Sequence, residues 1–419
     1  MSSATAPMTA PIAPTSVADL NVRRTLVEDL FLKALFNIGE MSLRELGDYL
    51  CLKMSVMDEL FNKLRKEQLC EVTGMSTGVH RIVSTTAGKS RAQTSLASSQ
   101  YVGPVPVSLN DYIERVHAQS VRDMDLRHSD VERAFSHLVI EPGMMAQIGT
   151  SAVSGRAVFL YGPAGTGKTS IAEAMATVYK TDHVWIPHCI EIDGQVVSIF
   201  DPTVHGDVTQ PESYELDRRW VLCHRPRVVT GGELTIEMLD LQYNPQTRFY
   251  TAPVQMKANN GLLLIDDFGR QRIRPEELLN RWVVPLDRRV DFLTMAGGKK
   301  VEMPFDVFVV FATNLEPKDL VDEAFLRRIQ TKIHVGVITP EQFHAIFKRV
   351  CADNEMPYDP GAIDTVIELI TRQFGQPLRP CHPRDLVNQI RWGAKFNGTR
   401  AEMDRSSLAQ ACANYFIET

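Results

Sequence analysis

A glycine-rich loop at 162–169 is the first candidate for a functional site in this sequence. Its sequence, GPAGTGKT, fits the pattern G-x-x-x-x-G-K-[ST] at every fixed position. Glycines let a loop curl so that several backbone N–H groups point inward, and a following helix adds positive potential at its N-terminus. An apolar, strand-like run at 157–161 leads into the loop, and a helical run leads out. The sequence therefore predicts a phosphate-binding loop.

Two side chains of the loop extend this prediction to a nucleotide and a metal ion. Lys168 can reach the β- and γ-phosphates of a nucleotide, and the hydroxyl of Thr169 can hold Mg²⁺. A chance glycine-rich turn is the alternative, which the flanking strand and helix disfavour. The predicted nucleotide-binding residues are Gly162, Pro163, Ala164, Gly165, Thr166, Gly167, Lys168, Thr169 and Ser170.

A second run, at 261–267, reads GLLLIDD and joins an apolar strand to two carboxylates. Ligands in open α/β sheets bind outside the carboxyl ends of the strands, so these carboxylates are expected beside the phosphates. We predict that Asp266 supports Mg²⁺ through its water shell and that Asp267 orients or deprotonates the attacking water. The alternative is two solvated aspartates at a strand end.

A third apolar run, at 307–312, ends in Thr313 and Asn314. At the same edge of the sheet, Asn314 could position the attacking water or contact the γ-phosphate. A polar strand end by itself usually marks a turn, but this one is informative as the third element in a fixed order.

The secondary structure around these residues can be predicted from the order of strand-like and helical runs along the chain. Strands and helices alternate from residue 156 to about 337, which is typical of an α/β domain with a mainly parallel sheet. Residues 340–419 read as helical throughout, with their own apolar periodicity.

These pieces, in this order, resemble the AAA+ ATPase superfamily over residues 125–419, about 70% of the chain. The resemblance makes 162–169 the Walker A motif, 262–267 the Walker B motif and Asn314 sensor 1. It implies an α/β P-loop core with a C-terminal helical lid, and it implies ATP and Mg²⁺ as cofactors of an ATPase.

The resemblance also assigns roles to three arginines. The segment at 322–329 is similar to the one that carries the family's arginine finger, which reaches a neighbouring subunit's γ-phosphate. This alignment favours Arg328 over Arg327, and two solvated helix arginines are the alternative. Arg384 looks like the sensor 2 arginine, with an ordinary helix-start arginine as the alternative.

One position departs from the usual family pattern. Most members end Walker B with Asp-Glu, whereas this chain has Asp-Asp at 266–267. Helicase-loader and transposition-helper members also carry Asp-Asp. Because Asp267 is one methylene shorter than glutamate, the resemblance implies an active but slow enzyme.

Three hairpins are predicted in this region. Two strand-like halves at 290–304 flank Gly297-Gly298. A hairpin at this place marks the AAA+ supergroup that includes MoxR-type chaperones and enhancer-binding activators, which counts against the helicase-loader clade. The other two hairpins are predicted at 189–200 and 221–235. In the family this region carries pore-facing loops that grip a substrate, and static surface elaboration is the alternative.

The front of the chain predicts a separate module. Three helical runs and two strand-like runs between residues 21 and 95 resemble a winged helix-turn-helix. Residues 22–92 hold eleven Lys/Arg and nine Asp/Glu, a net charge of about +2, and the candidate recognition helix mixes both signs. A DNA-reading helix concentrates positive charge, so we favour protein docking and keep DNA contact as the alternative.

The predicted organisation has five parts. They are a disordered tail, a winged-helix-like domain, a linker, the AAA+ α/β domain and the helical lid, at 1–20, 21–95, 96–125, 126–338 and 339–419. The small polar residues at 86–100 also read as linker.

Composition narrows the class of protein. The chain has 419 residues and a net charge of −6, which argues against a protein that coats nucleic acid. No apolar run approaches the ~18–20 residues of a membrane helix. The seven cysteines are scattered, and their spacing with histidine fits no zinc pattern. We expect a cytoplasmic protein with free thiols and no membrane insertion.

The predicted function is that of an oligomeric ATPase. Following the family, we expect a hexameric ring or spiral with hydrolysis sites between subunits, acting on an unidentified protein client or complex. The alternative is a DNA-associated regulator or assembly switch, in which ATP controls oligomerisation.

Overall fold

The computed structural model describes residues 10–76, 78–179, 182–208, 215–320 and 326–416. The chain divides into two compact units. The first unit takes its described residues from Met1–Asp125, Tyr179–Leu263 and Glu277–Phe308, and the second from Leu126–Val178, Leu264–Glu276 and Val309–Thr419. None of the described helices is both long and apolar enough to span a membrane.

The first unit begins with a helical module that carries a small antiparallel sheet. Its elements are α1 (Arg24–Ile38), β1 (Met41–Ser42), α2 (Leu43–Leu50), α3 (Met54–Lys66), β2 (Cys70–Ser76), β3 (Val79–Ser84) and α4 (Thr86–Ser98). The strands have the order β1-β3-β2. Ser42 and Glu45 form the predicted capping box at the start of α2. The three helices and the hairpin are confirmed, and their assignment as a winged helix stays a prediction.

Residues 10–20 differ from the predicted disordered tail, of which 1–9 lie outside the described residues. Ala13, Val17 and Leu20 are buried in the first unit, and the backbone at residue 12 pairs with the backbone at residue 216. The small and polar composition predicted disorder, but three well-spaced apolar side chains are enough to hold the segment against the unit.

The predicted linker at 96–125 is also ordered, as is the run at 86–100. Helix α4 packs on α1, and Ala92 is fully buried between them. Beyond α4, β4 (Val107–Ser108) and α5 (Leu109–Ala118) contribute to a core of the first unit. Small residues predicted a linker, but here they let a helix approach its neighbours closely.

The rest of the first unit consists mainly of short strands. Its elements are β6 (His183–Pro187), β7 (Cys189–Ile192), β8 (Gln195–Ser198), β9 (Trp220–His224), β10 (Arg227–Thr230), β11 (Gln242–Tyr243), β12 (Tyr250–Thr251), α9 (Val254–Lys257), most of α10 (Pro275–Arg288), β14 (Val290–Thr294) and β15 (Lys300–Pro304). Five strands form one sheet in the order β11-β12-β8-β7-β4.

Two of the three predicted hairpins form. β7 pairs with β8, and β14 pairs with β15, around the turns at 193–194 and 297–298. The hairpin predicted at 221–235 around Gly231-Gly232 is wrong, because residues 233–235 form no strand. Its first half instead divides into β9, which pairs with β6, and β10, which joins a different sheet. Pro226 lies between β9 and β10, and its carbonyl accepts a hydrogen bond from the N–H of Leu262 at 2.9 Å. The chain therefore changes sheets at this proline.

The second unit contains most of the nucleotide-type sheet, of which β10 belongs to the first unit. Its elements are α6 (His128–Phe135), α7 (Pro142–Ser154), β5 (Val158–Tyr161), α8 (Lys168–Thr177), the ends of β13 (Gly261–Ile265) and β16 (Val307–Thr313), α11 (Pro317–Leu320) and β17 (Thr331–His334). The sheet order is β10-β13-β16-β5-β17, and β5 lies parallel to both β16 and β17. Tyr161 pairs with Thr313 and with His334, so the strands end at one edge. The predicted α/β class with a parallel sheet is confirmed.

The last part of the second unit is helical. Its elements are α12 (Pro340–Asp353), α13 (Pro360–Glu368), a π-helical turn (Leu369–Gln373), α14 (Cys381–Asn397) and α15 (Arg405–Tyr415). Their buried side chains, including Ile363, Val366 and Ile370, form one core. The apolar periodicity in the sequence identified these residues, because helical residues three or four apart face the same side.

Candidate nucleotide-binding site

The glycine-rich loop lies between β5 and α8. Gly162 has a φ of +141°, and a Cβ at this residue would lie 2.3 Å from the carbonyl oxygen of Val335, so only glycine fits there. Gly167 precedes Lys168, the first residue of α8. The free N–H groups of the first turn of α8 therefore lie at the end of the loop, where an anion is stabilised.

Lys168 places a buried cation against this loop. Its side-chain amine donates to the carbonyl oxygens of Gly162 at 2.9 Å and Pro163 at 2.7 Å, and the residue is only 7% exposed. Burial lowers the pKa of Lys168, and the charges of Asp266 and Asp267 oppose that shift. A bound polyanion would favour the charged amine in the same way, because opposite charges attract strongly where water is scarce.

The two predicted metal-binding side chains lie in contact. Thr169 Oγ1 donates to Asp266 Oδ2 at 2.9 Å, although the residues are 97 positions apart. A hydroxyl and a carboxylate in contact are oxygen donors of the kind that Mg²⁺ binds, directly or through water. These residues therefore fit the ion that the sequence implies.

The second carboxylate of the acidic strand contacts the end of β16. Asn314 Nδ2 donates to Asp267 Oδ1 at 3.1 Å. Asp267 is exposed and Asp266 half-buried, and the N–H of Asp267 donates to Asp266 Oδ1 at 3.0 Å. The structure thus brings together the side chains predicted to bind the metal and to orient a water.

These side chains line one cavity of about 690 Å³ in the second unit. Small-molecule sites typically span ~300–1,000 Å³. The predicted residues in its lining are Ala164, Gly165, Thr166, Gly167, Lys168, Thr169, Ser170, Asp266, Asp267, Asn314 and Arg384. Gly162 and Pro163 are not among the described lining residues, but their carbonyl oxygens accept hydrogen bonds from the amine of Lys168.

Sequence reasoning missed the apolar wall of the cavity. Leu138, Val139 and Ile140, between α6 and α7, line it together with Ile346 and Val350 of α12. The run of three apolar residues was the available signal. Its local pattern does not show that the segment returns to the glycine-rich loop, so the sequence alone places it only within the α/β domain.

Arg349 of α12 holds this wall in place. Its guanidinium donates to the carbonyl oxygens of Ser136 at 2.9 Å and Leu138 at 3.1 Å. The segment after α6 is therefore fixed to the helical part of the second unit.

The first turn of α14 contacts the glycine-rich loop. The N–H of Cys381 donates to the carbonyl oxygen of Gly165 at 3.3 Å, and Arg384, one turn further on, lines the cavity. The Arg384 side chain is 69% exposed and pairs with Asp385 at 3.3 Å. The structure therefore places this cation at the cavity rim, and its role as sensor 2 stays a prediction.

The predicted arginine-finger segment is only partly described, since residues 321–325 lie outside the described residues. Arg327 is exposed and Arg328 half-buried. Among the described residues that line the cavity, neither of these two arginines is present. The structure therefore does not bring them to the cavity of their own chain.

Comparison with known families gives one match. A family described as a domain of unknown function (DUF8689) matches residues 339–414. This range holds the helical part of the second unit and less than a fifth of the chain. No curated protein matches the sequence.

Solved structures with a similar arrangement include three proteins. NtrX from Brucella abortus is 13% identical over 66% of this chain and 56% of that chain, with a TM-score of 0.41. A point mutant of Thermotoga maritima RuvB is 13% identical over 70% of this chain and 72% of that chain, with a TM-score of 0.38. Domain III of the Thermotoga maritima replication initiation protein DnaA is 14% identical over 69% and 98%, with a TM-score of 0.39.

The chain spans little more than half of the NtrX chain. What the fold and the site themselves define is an α/β protein of the P-loop class, with a cavity at the carboxyl ends of its strands.

Proposed function

We propose that this protein is an AAA+-type ATPase that binds ATP with Mg²⁺ and hydrolyses it to remodel a protein client or complex. The observation that carries the proposal is the convergence of Lys168, Thr169, Asp266, Asp267 and Asn314 on one cavity. The order of these residues along the chain resembles the AAA+ superfamily, which supports the type of ATPase.

The cavity offers different surfaces to the different parts of ATP. The N–H groups of the loop and the amine of Lys168 suit the phosphates. The apolar wall at 138–140 and on α12 suits the adenine base, since apolar surface favours a flat, weakly polar ring. We propose that the nucleotide lies between these two surfaces.

The acidic edge of the cavity suits hydrolysis. Bound Mg²⁺ would neutralise charge on the β- and γ-phosphates, and Thr169 and Asp266 would hold it. Asp267 would orient the attacking water and accept its proton, and the Asn314 amide would hold that water or a γ-phosphate oxygen. Most of the rate enhancement would come from this fixed electrostatic arrangement.

We further propose that a second copy of the chain completes the site. Arg328, or Arg327 beside it, would reach the γ-phosphate bound by a neighbouring subunit. A guanidinium there stabilises the charge that develops on the transferred phosphoryl group. The active form would then be a ring or spiral, for which six subunits are the family expectation.

The charges of the N-terminal module favour a protein partner over DNA. Glu28 is 2% exposed and contacts Lys63, Arg91 and Arg24. Burial would raise the pKa of Glu28, but hydrogen bonds from these three cations outweigh it and hold the pKa below its usual value. Cations held by a buried carboxylate are less available to phosphates, so we propose that this module docks on protein.

The test of the proposed function compares two variants with the wild-type chain. Lys168→Ala should lose at least about ten-fold in ATP affinity, since it removes the buried cation of the loop. Asp267→Asn should bind ATP normally but release phosphate at least about 100-fold more slowly, since the amide cannot accept a proton. Binding is measured by calorimetry and turnover by phosphate release, with and without duplex DNA.

Asp58→Asn is the control, because Asp58 is an exposed residue of α3 far along the chain from the cavity residues. It should leave affinity and turnover unchanged. Normal hydrolysis by Asp267→Asn would exclude the proposed role of Asp267. Strong stimulation by DNA would favour the DNA-associated regulator instead.

A further inference from the structure

The backbone of Asp267 has an uncommon conformation. Its φ is +49°, in the left-handed region. Residues other than glycine rarely adopt this conformation, but aspartate and asparagine do so several times more readily than most residues with a Cβ. The position at which this chain carries aspartate therefore also has a backbone that suits aspartate.

The turn that follows Asp267 is fixed to the neighbouring strand. The N–H of Phe268 donates to the carbonyl oxygen of Ala312 at 2.7 Å, and Thr313 Oγ1 donates to the carbonyl oxygen of Phe268 at 2.7 Å. The N–H of Arg270 donates to the carbonyl oxygen of Asp267 at 2.9 Å. The residue after Asp267 thus has both backbone polar groups bound to the end of β16.

A single side chain closes this turn from the other side. Gln271 Nε2 donates to the carbonyl oxygen of Asp266 at 2.8 Å, and Gln271 Oε1 accepts from the N–H of Gly269 at 2.8 Å. Gln271 is half-buried and does not belong to the described lining of the cavity. Both ends of its amide are used to hold the backbone on either side of Asp267 and Phe268.

We propose that Gln271 is a positioning residue for the two carboxylates, and that the turn it holds makes aspartate the residue required at 267. The inference rests on the proposed function, because it concerns the placement of the groups that would act on ATP. The Asp-Asp pair is then an adaptation to the backbone of this turn. The shorter side chain is matched to a left-handed backbone, and a glutamate there would lose that match.

The first experiment replaces Gln271 by a residue of similar length that forms neither hydrogen bond. Gln271→Met should lower kcat about ten-fold, because small displacements of reacting groups are costly in rate. KM for ATP and ATP affinity should change less than about two-fold, because the loop and Lys168 are untouched. Phosphate release, calorimetry and thermal unfolding are measured on the full chain.

The matched control is Gln373→Met, the same substitution at an exposed position of the second unit. It should leave kcat, KM and the unfolding temperature unchanged. If Gln271→Met lowers kcat and affinity together, or leaves kcat unchanged, Gln271 is not a positioning residue.

The second experiment restores the residue that is usual in the superfamily. Asp267→Glu should lower kcat by about ten-fold or more. Glutamate fits a left-handed backbone poorly, and its carboxylate would be displaced from the position that orients the attacking water. A kcat equal to or above that of the wild-type chain would overturn the inference. Asp267→Glu also does not alter Gln271, so it tests the turn independently.

The two levels of the proposal fail in different ways. If the wild-type chain binds ATP but releases no phosphate, the proposed function and this inference fail together. If the wild-type chain is active and Gln271→Met and Asp267→Glu match it, only this inference fails.

Discussion

Lys168 and His382 are both nearly buried basic side chains, but they lie in different surroundings. Lys168 donates to two carbonyl oxygens and has two carboxylates nearby. His382, on α14, is 2% exposed and packs against the rings of Tyr415 and Phe416. Burial lowers the pKa of His382 to about 4, the charge of Arg379 adds to this effect, and Asp385 opposes it.

His382 should make the second unit sensitive to acid. Its pKa falls from 6.5 to about 4 on folding, so the unfolded chain binds the proton first as pH falls. Stability should therefore be complete above pH 6.5, decrease through the window from 6.5 to 4, and level off below it. The loss is up to about 3 kcal/mol. Chemical denaturation at a series of pH values measures it.

The comparison variant is His382→Gln, which keeps a hydrogen-bonding side chain but cannot titrate. Its stability should change less between pH 7 and pH 4 than that of the wild-type chain. Identical pH profiles for the two proteins would show that His382 does not control this response.

Among the helices, α4 packs closely because a glycine lies at its point of contact with the rest of the module. Gly88 lies so close to the preceding hairpin that a Cβ there would be 1.9 Å from the carbonyl oxygen of Leu69. The N–H of Gly88 also donates to Thr85 Oγ1 at 3.1 Å, and this hydrogen bond caps the start of α4. Helix α4 can therefore lie against the module only because this position has no side chain.

Gly88→Ala should destabilise the first unit by about 1–3 kcal/mol, because the added methyl forces the helix away from the hairpin. Urea denaturation measures the change. The control is Gly393→Ala in α14, where a Cβ would meet no atom within 4 Å. That variant should be neutral or more stable by about 0.5–1 kcal/mol, since alanine is favoured in helices. Equal effects at both glycines would contradict the close packing of α4.

The hairpin of β7 and β8 lies in the region where the family resemblance predicts pore-facing loops that grip a substrate. The N–H of Arg23 donates to Glu191 at 2.8 Å, and Lys299, in the turn between β14 and β15, pairs with Asp193. The turn of this hairpin is therefore held by two other parts of the first unit. These contacts favour static elaboration over a loop that moves against a client.

At the scale of the whole molecule, the proposal requires more than one copy of the chain. The cavity supplies a cation from Lys168 and another from Arg384 at its rim, while Arg327 and Arg328 do not line it. A site shared between subunits predicts that two inactive variants can repair each other.

Arg328→Ala keeps an intact cavity but lacks the proposed finger, and Asp267→Asn keeps the proposed finger but lacks the proposed base. Each alone should hydrolyse ATP slowly. An equal mixture should recover about a quarter of the wild-type turnover, because random assembly places one intact finger beside one intact cavity at that frequency. Phosphate release measures the recovery, with sizing chromatography as a check on assembly.

Two controls make the mixing experiment decisive. A mixture of Arg328→Ala with Lys168→Ala should also recover, since Lys168→Ala keeps its finger. Arg328→Ala alone, at the same total protein concentration, should not gain activity. If neither mixture gains activity although the variants co-assemble, Arg328 does not act across an interface, and Arg327→Ala is the next variant to compare.

Several features could be predicted from the amino-acid sequence because they depend on local interactions. The glycine-rich loop, the capping box at Ser42, the two paired hairpins and the buried strand ahead of Asp266 depend on neighbours a few residues away. Spacing and residue type are enough to specify such features, because the hydrogen bonds and turns involved are short in sequence.

Tertiary structure decided the features that depend on distant contacts. It ordered residues 10–20 and the predicted linker, separated β9 from β10, and brought the apolar run at 138–140 to the cavity. Small or isolated apolar residues carry little signal until another part of the chain packs on them, since burial and hydrogen bonding are properties of the folded pair.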